Sequence, residues 1–360
     1  MDSLVERIGK IPFRLTMQAF SRPSDETLLK RYFELIRATF KRHKPPIVLG
    51  EHIGSGGFAD VFKATSSYGS VSDFAIKILR GDLLEVKRGK GGAQQEDEMR
   101  VKEMKRRFTN ESYVQWDLSQ SLSDTVAHSV VRVFDFGEFD HENNFRFILM
   151  EQMGATLRGF LNDRKQSGES SDALLYKTKL MLTIAEIISN VHTEGIFHRD
   201  IKPENILFPR SFSLPRPGDD EWWRRGQTKK IEVKLADFGT VRWVRSYASN
   251  FDGVIIGSQF YMSPEQISNP EHLDQRTDIY SFGVVCYELL TGAHPKIVNK
   301  DTSNLLLKLA QERPLLRTPP KGFEDLQEII VKCMGNIRER YQSMEQVVTD
   351  LRRFYEKAAG

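Results

Sequence analysis

Short apolar segments separated by glycines and polar turns occupy the chain from residue 47 to about residue 153. The segments IVLGEHIG (47–54), ADVFKATS (59–66) and DFAIKIL (73–79) are rich in β-branched and aromatic residues, which is typical of strands joined by tight turns. Residues 130–139 and 145–153 show the same texture on either side of a polar turn. The pattern therefore predicts five strands in this part of the chain.

After Gly154 the apolar residues recur at helical spacing instead. One helix is predicted earlier, over 100–123, and the later ones are predicted over 172–194, 276–292, 303–312, 323–335 and 343–357. A strand-rich part followed by a helix-rich part indicates an α+β chain of two lobes. We divide it into an N-terminal helical extension (1–45), a first lobe (46–153) and a second lobe (154–360).

Three segments stand apart from this pattern. Residues 24–43 have helical spacing and end at a Pro-Pro pair, which predicts an amphipathic helix lying on the main body; a regulatory or partner-binding helix is the alternative. Residues 81–99 are polar and glycine-rich, and residues 209–229 are rich in proline, glycine and charge, so both are predicted to be loops. Trp222-Trp223 lies in the second loop and is expected to fold back onto a lobe, with docking of a partner protein as the alternative.

Composition narrows the class of protein. The 360 residues carry 52 basic and 49 acidic side chains, a formal net charge of +3, which gives no broad electrostatic surface for nucleic acid. No apolar run approaches the roughly 20 residues of a membrane span, and the charged start has no secretory signal pattern. Two cysteines without a CxxC indicate neither a disulfide framework nor zinc. We therefore expect a cytoplasmic protein without a nucleic-acid partner or a membrane span.

A glycine-rich turn, Ile53-Gly54-Ser55-Gly56-Gly57-Phe58-Ala59, joins the first two predicted strands. Glycines let backbone N–H groups approach phosphate oxygens closely, because no Cβ intervenes. The turn leads into a strand and not a helix, which disfavours a dinucleotide site, and no GKS or GKT follows, which excludes a P-loop. By itself the turn is weak evidence for phosphate binding.

Lys77 interrupts the apolar strand FAIKIL. Lysine is seldom buried unless it is paired. It is either an ordinary edge-strand lysine or a cation that a carboxylate orients toward an anionic ligand, and the strand alone does not separate the two.

Two further motifs combine acids, bases and amides. In His198-Arg199-Asp200-Ile201-Lys202-Pro203-Glu204-Asn205, an aspartate could accept a proton from a hydroxyl, a lysine could stabilise developing negative charge, and an asparagine oxygen could ligate a hard cation. In Leu235-Ala236-Asp237-Phe238-Gly239, a carboxylate ends an apolar strand, which suits a metal ligand.

The four elements in this order resemble the protein-kinase superfamily, and specifically the Hanks-type (eukaryotic-like) serine/threonine kinases. The resemblance covers residues 47–355. It extends to Ser263-Pro264-Glu265, to Asp278-Ile279-Tyr280-Ser281-Phe282-Gly283, and to Arg340, which it pairs with Glu265. It implies a bilobal α+β fold with a small antiparallel sheet in the first lobe and a helical second lobe.

The resemblance also implies an activity: ATP- and Mg²⁺-dependent transfer of the γ-phosphoryl group to serine or threonine hydroxyls of proteins, with autophosphorylation. It makes Asp200 the residue that orients and deprotonates the acceptor hydroxyl, and Lys202 the cation that neutralises the transferred group. It makes Asn205 and Asp237 the Mg²⁺ ligands. Lys202 and Ser258 match the serine/threonine class.

The resemblance assigns the nucleotide to residues of the first lobe. Lys77 would hold the α- and β-phosphates and Glu111, in RFTNE, would orient it, with Glu96, Glu98 and Glu103 as competitors. The other residues expected around ATP are Ile53, Gly54, Ser55, Gly56, Gly57, Val61, Ala75, Met150, Glu151 and Met153.

Two other functions share this fold. A pseudokinase would bind nucleotide as a scaffold, but Lys77, Asp200 and Asp237 are all present. A small-molecule kinase of the aminoglycoside or choline type would not need the SPE motif. Arg199 further suggests control by phosphorylation at Thr240, Ser246, Tyr247 or Ser249, or else it only braces its loop.

Overall fold

The computed structural model describes residues 47–55, 59–66, 74–79, 92–139, 145–162, 170–213, 220–239, 242–243, 259–269, 271–295 and 322–360. The helices predicted over 24–43 and 303–312 lie outside these residues. The described residues form two units, each of which is treated by itself. Among them, no helix combines the length and the hydropathy that crossing a membrane requires.

The first unit comprises the described residues up to Gln120 together with Val131–Met153. It contains the five predicted strands, which are β1 (Ile47–Ser55), β2 (Ala59–Ser66), β3 (Phe74–Leu79), β4 (Val133–Phe139) and β5 (Phe145–Glu151). They form one antiparallel sheet in the order β1-β2-β3-β5-β4.

The strand register gathers the predicted nucleotide residues on one face of this sheet. Val61 lies opposite both Gly54 and Lys77, and Ala75 lies opposite Met150. Directly opposed residues point to the same face, and Ala75 and Lys77 are two positions apart on one strand. These five side-chain positions therefore share a face.

One long helix, α1 (Gly92–Ser119), packs against β4 and β5. The sequence predicted 100–123, so the prediction was wrong at both ends, and residues 92–99 of the predicted loop are helical. Their polar composition resembles a loop, but glutamate and glutamine are good helix formers. Gln115 Nε2 donates to Val131 O at 3.0 Å and Arg146 Nη1 donates to Lys105 O at 2.7 Å, which fastens the helix to the sheet.

The second unit comprises Ser121–Val130 and the described residues from Gly154 on. The interpretation of the sequence had assigned 121–130 to the first lobe, whereas its contacts join it to this unit. The helices are α2 (Asp124–Ser129), α3 (Leu157–Asn162), α4 (Ser171–Thr193), α5 (Asp220–Thr228), α6 (Pro264–Ser268), α7 (Arg276–Thr291), α8 (Glu324–Cys333) and α9 (Met344–Ala359). An antiparallel sheet followed by a helical unit confirms the predicted α+β class.

Two pairs of very short strands frame the predicted catalytic segment. Strand β6 (Ile196–Phe197) pairs with β9 (Arg242–Trp243), and β7 (Ile206–Leu207) pairs with β8 (Lys234–Leu235). Residues 198–205 lie between β6 and β7. Two-residue strands have no alternation to detect, so the sequence pattern could not predict all of them.

Helix α7 forms the centre of the second unit. Every side chain from Thr277 to Leu290 is buried, so the helix is covered on all sides. A Cβ at Gly283 would lie 2.7 Å from the Cβ of Cys333, so glycine is needed for α8 to approach this closely.

Helix α5 lies in the segment predicted to be a surface loop, so that prediction was wrong for 220–228. Trp223 is only 4% exposed, and its ring centroid lies 5.3 Å from that of Tyr176 on α4. A Cβ at Gly226 would lie 2.7 Å from the same tyrosine ring, so glycine permits the close approach. The expectation that the tryptophan pair folds back onto its lobe is confirmed.

Candidate active site

In the first unit, Lys77 is held by the carboxylate of Glu111. Its Nζ donates to Glu111 Oε1 at 2.5 Å, and the two side chains are 14% and 5% exposed. A pair this well shielded from water has a strong mutual attraction, and its geometry fixes the lysine rotamer. The lysine is therefore not a solvated edge-strand residue.

Glu103, one of the competing glutamates, pairs with arginines of its own helix. Glu103 accepts from Arg106 Nε at 2.7 Å and from Arg107 Nε at 2.8 Å. Burial acts to raise the pKa of Glu103, but these arginines outweigh it and hold the pKa below its usual value. The side chains of Glu96 and Glu98 lie outside the described residues.

The glycine-rich turn is described up to Ser55, while Gly56 and Gly57 lie outside the described residues. Ser55 Oγ donates to Asp60 Oδ1 at 2.7 Å across the hairpin. A Cβ at Gly54 would meet no atom within 4 Å, and the φ angle of Gly54 is not positive. Packing within the described residues therefore does not require a glycine at this position. The missing side chain leaves the backbone of Gly54 uncovered on the face that carries Lys77.

The apolar residues expected around ATP differ in exposure. Ala75 and Met150 on this face are 4% and 8% exposed, whereas Ile53, which has no partner in the strand register, is 42% exposed. The Glu151 N–H already donates to Arg132 O at 2.9 Å, so the sheet uses it. Within the described residues the main chain of Met153 has no hydrogen-bond partner. Of these two residues, only Met153 has a main-chain N–H left for a ligand.

In the second unit, Asp278 organises the segment 198–205. Its fully buried carboxylate accepts from the His198 N–H at 2.8 Å, from the Arg199 N–H at 2.6 Å and from His192 Nε2 at 2.9 Å. Arg199 has a φ of +62°, a left-handed conformation that costs free energy in a non-glycine residue. The carboxylate stabilises this strained backbone.

The pKa of Asp278 reflects the same contacts. Burial alone would raise it, but the hydrogen bond from His192 and the positive potential of the two histidines hold the pKa below its usual range. The aspartate is therefore charged in the folded protein.

Asp200, Lys202 and Asn205 meet on one carboxylate oxygen. Lys202 Nζ donates to Asp200 Oδ2 at 2.5 Å, and Asn205 Nδ2 donates to the same oxygen at 3.1 Å and to Asp200 O at 2.8 Å. The other oxygen, Oδ1, accepts no hydrogen bond from the described residues. Oδ2 is thus fixed, and among the described residues Oδ1 is left to accept a further hydrogen bond.

The environment of Asp200 also adjusts its basicity. Burial raises the pKa of Asp200, Lys202 lowers it, and the nearby negative charge of Asp237 raises it again, with a net rise above the usual value. A carboxylate with a raised pKa is a better proton acceptor.

Ala236, the residue before Asp237, is hydrogen-bonded to the segment 198–205. His198 Nε2 donates to Ala236 O at 3.0 Å and the Ala236 N–H donates to Asn205 O at 3.0 Å. Asp237 itself has a φ of +68°. The structure therefore brings all four predicted catalytic and metal-ligating residues of this unit into one cluster.

The cluster has the donor chemistry that Mg²⁺ requires. Because both hydrogen bonds of Asn205 use its amide nitrogen, the amide oxygen is available, and Asp237 adds a carboxylate. Magnesium prefers such oxygen ligands and usually takes others from substrate phosphates. The described residues contain no group of three or more His, Cys, Asp or Glu that could hold a metal unaided, so a cation here would need such additional ligands.

Helix α6 contributes contacts that the sequence interpretation missed. Ser263 and Gln266 form a capping box at its start, and Gln266 Nε2 donates to Arg199 O at 2.9 Å. The S-x-x-Q spacing is a recognisable capping signal and could have predicted the box. Arg340, 2% exposed, donates to Glu265 Oε1 at 2.5 Å, which confirms the predicted pair.

Comparison with known proteins decides the family. The model of the protein kinase domain matches residues 47–350, most of the chain. The chain belongs to the protein kinase domain family. The predicted resemblance is thereby confirmed.

The kinase domain has curated bacterial relatives. It is 30% identical over 310 residues to a probable serine/threonine-protein kinase of Clostridium perfringens, covering 83% of this chain and 37% of that protein. It is 26% identical over 307 residues to the probable serine/threonine-protein kinase PknB of Lactococcus lactis, covering 84% and 40%. It is 27% identical over 317 residues to PknB of Mycolicibacterium smegmatis, covering 86% and 43%.

The kinase domain spans about two fifths of the length of these relatives.

Five residues named in the sequence analysis lie outside the described residues: the candidate phosphorylation sites Thr240, Ser246, Tyr247 and Ser249, and also Ser258. The role of Arg199 as a phosphate ligand therefore stays a prediction.

Proposed function

We propose that this kinase domain transfers the γ-phosphoryl group of ATP to serine and threonine hydroxyls of proteins. The observation that carries the proposal is the asymmetric carboxylate of Asp200, with Oδ2 bound by Lys202 and Asn205 and Oδ1 open within the described residues. The relatives in Clostridium perfringens and Lactococcus lactis are named serine/threonine-protein kinases, which supports the acceptor class.

The acceptor step uses three side chains of the second unit. Asp200 Oδ1 accepts a hydrogen bond from the acceptor hydroxyl, orients it and takes its proton as the phosphoryl group moves. Lys202 supplies positive charge beside the transferred group. Because Asn205 and Lys202 hold the carboxylate before substrate arrives, little reorganisation is needed at the moment of reaction.

Each unit by itself supplies residues suited to one part of the nucleotide complex. In the first unit, Lys77, kept in place by Glu111, neutralises the α- and β-phosphates, and the bare backbone at Gly54 lets amides approach them. Val61, Ala75 and Met150 offer apolar contact to the base, the exposed Ile53 offers further apolar surface, and the Met153 main chain offers its hydrogen bond. In the second unit, the Asn205 amide oxygen and Asp237 would hold Mg²⁺. When bound, the ion supplies positive charge to the phosphate oxygens.

The test is phosphoryl transfer by the full chain with labelled ATP, Mg²⁺, a neutral serine peptide and a protein acceptor. We expect phosphoserine or phosphothreonine, and a loss of at least about 100-fold in Asp200→Ala, because that variant lacks the base. Predominant phosphotyrosine would overturn the acceptor class. Phosphorylation of choline or an aminoglycoside alone would favour a small-molecule kinase, and ATP binding without transfer would favour a scaffold.

We also propose a partner-docking site at Trp222. Trp223 is buried, but Trp222 lines a cleft of about 550 Å³ together with Phe212, Lys229 and Lys230. The two lysines are exposed, and no described residue pairs with their ammonium groups. We propose that an acidic segment of a partner protein docks here. The double variant Lys229→Glu, Lys230→Glu should no longer capture an acidic peptide. The control variant Lys357→Glu should capture it as the wild type does. Equal capture by the double variant and the control would refute the site.

Location and autophosphorylation stay proposals. Cys286 and Cys333 are both free and buried, as is usual for thiols in a reducing compartment, which supports the proposed cytoplasmic location. The extension 1–45, the other proposed docking segment, lies outside the described residues.

A further inference from the structure

A second polar cluster lies beside the segment that carries Asp200. It consists of Arg158 on α3, Glu204 in the short turn Pro203–Asn205, Tyr261 in the turn Gln259–Tyr261, and Glu288 on α7. Arg158 Nε donates to Glu204 Oε1 at 2.7 Å, its Nη1 donates to Glu288 Oε1 at 2.6 Å, and its Nη2 donates to the Tyr261 hydroxyl. Each nitrogen of one guanidinium thus binds a different element of the second unit.

The cluster is closed on one side and open on the other. The Glu288 side chain is 12% exposed and also accepts from the Tyr261 hydroxyl at 2.5 Å. The side chains of Arg158 and Glu204 are 26% and 42% exposed. Solvent, and therefore a substrate, can reach Glu204 and the edge of the guanidinium.

The pKa values of two members of the cluster, Arg158 and Tyr261, are shifted. Burial acts to lower the pKa of Arg158. Its hydrogen bonds to the two glutamates outweigh burial and raise the pKa above its usual value, so the guanidinium stays charged. Burial and the bond to Glu288 raise the pKa of Tyr261, so the phenol stays neutral. Two carboxylates and one guanidinium leave a net charge of one negative unit, which would double without Arg158.

The open carboxylate lies close to the proposed acceptor position. Glu204 is adjacent in sequence to Asn205, whose amide touches Asp200 Oδ2 at 3.1 Å. Consecutive Cα atoms are about 3.8 Å apart, so Glu204 lies within a few residues' length of the place where the acceptor hydroxyl must sit. A substrate residue that flanks an acceptor held at Asp200 is therefore within reach of this cluster.

We propose that Arg158 determines the charge preference for the protein substrate. By occupying Glu204 and Glu288 it withdraws both carboxylates from cationic side chains, so acceptors flanked by uncharged residues are preferred over the same acceptors flanked by arginine. A substrate arginine meets acceptors that are already filled and a like charge beside them, which is a repulsive specificity element. This inference rests on the proposed function.

The test compares a neutral serine peptide with variants that carry one arginine at each flanking position in turn. For the wild type, no arginine peptide should exceed the neutral peptide in kcat/KM. In Arg158→Met, which removes the charge and keeps an unbranched side chain, arginine at one or more positions should raise kcat/KM about tenfold relative to the neutral peptide, as expected for one charged hydrogen-bonded contact. Arg158→Met combined with Glu204→Gln should lose that gain.

The matched control is Arg352→Met, which removes an exposed arginine paired with Glu186 and changes the net charge equally. It should keep the wild-type ratio between peptides. Arg158→Gln, which keeps hydrogen-bond donors without the charge, serves if the methionine variant does not fold, and should shift the ratio in the same direction. An unchanged ratio in the folded Arg158 variant, or a wild type that already prefers arginine, overturns the inference.

A binding measurement separates the inference from the proposed function. Fluorescence anisotropy of the same peptides needs no turnover, and the arginine peptide should bind more tightly to Arg158→Met than to the wild type. Equal affinities overturn the inference. Tighter binding without phosphoryl transfer by the wild type would support the charge preference and count against the proposed function.

Discussion

At the scale of single residues, the two oxygens of Asp200 differ in their partners. Lys202 and Asn205 both bind Oδ2, while Oδ1 has no partner among the described residues. The sequence predicted that these three residue types act together. It could not show that two donors converge on one oxygen, because that depends on the backbone of the turn between them.

The raised pKa of Asp200 predicts the pH dependence of phosphoryl transfer. A general base works only when deprotonated, so activity should fall on acidification at a higher pH than the usual aspartate value of about 4 would give. Lys202→Met removes an interaction that lowers this pKa, so the acid limb of kcat/KM should move to still higher pH. Lys357→Met, which removes an exposed lysine, should leave the limb unchanged. A limb that stays in place or moves down in Lys202→Met would contradict this account.

The ion pair between Lys77 and Glu111 predicts an effect on nucleotide use. Glu111→Gln removes the charge that fixes the lysine, so kcat/KM for ATP should fall by about 10- to 100-fold, equivalent to ~1.4–2.7 kcal/mol of transition-state stabilisation. Glu103→Gln on the same helix changes the same residue type at a more exposed position and should stay within about twofold. Equal losses in the two variants would show that Glu111 has no special role.

At the scale of elements, α7 is both the buried centre of the second unit and the helix that carries Asp278. It is buried along almost its whole length, and it places Asp278 under the backbone of 198–199. The apolar run of this helix and its acidic residue were both evident in the sequence. That His192 on α4 donates to the same carboxylate was not, because the two residues are far apart along the chain.

Asp278→Asn should therefore destabilise the fold. An asparagine cannot accept from all three donors and leaves buried N–H groups unpaired, so the free energy of unfolding should fall by about 3 kcal/mol, measured by denaturant titration. Because the folded pKa is lowered, the stability that Asp278 contributes is present above its unfolded pKa and is lost as the pH falls through the folded value. The variant should lack this part of the acid sensitivity.

The matched control for that variant is Asp325→Asn, an exposed aspartate paired with exposed Lys357. It should change the free energy of unfolding by less than about 0.5 kcal/mol. Comparable losses in both variants would rule out a special contribution from Asp278.

The secondary structure was predictable where patterns were long and regular. The five strands of the first unit and helices α4, α7, α8 and α9 match the sequence pattern to within a few residues. Helix α5 was missed because its local sequence favours a loop. It is stabilised by tertiary contacts: Trp223 is buried beside Tyr176, and Lys179 Nζ donates to Lys229 O at 2.7 Å just after the helix.

At the scale of the whole molecule, each unit holds its own part of the proposed machinery. The first unit carries the Lys77–Glu111 pair on the face that also holds Ala75 and Met150. The second unit carries Asp200, Asn205 and Asp237, and Asp278 of α7 holds the backbone of residues 198–199 beside them. The order of motifs along the chain was enough to predict this division of residues, because each motif belongs to one unit.

The sequence by itself determined which residue types are candidates for the proposed chemistry and on which kind of element each lies, because glycine turns, strand lysines and acid–amide loops are local patterns. The tertiary structure alone decided which partner each charge takes. Arg158 bonds residues 46 and 130 positions away, and Glu111 reaches a lysine 34 positions before it. Such pairings depend on how helices and strands pack, and no local pattern encodes the distance between side chains that are remote in the chain.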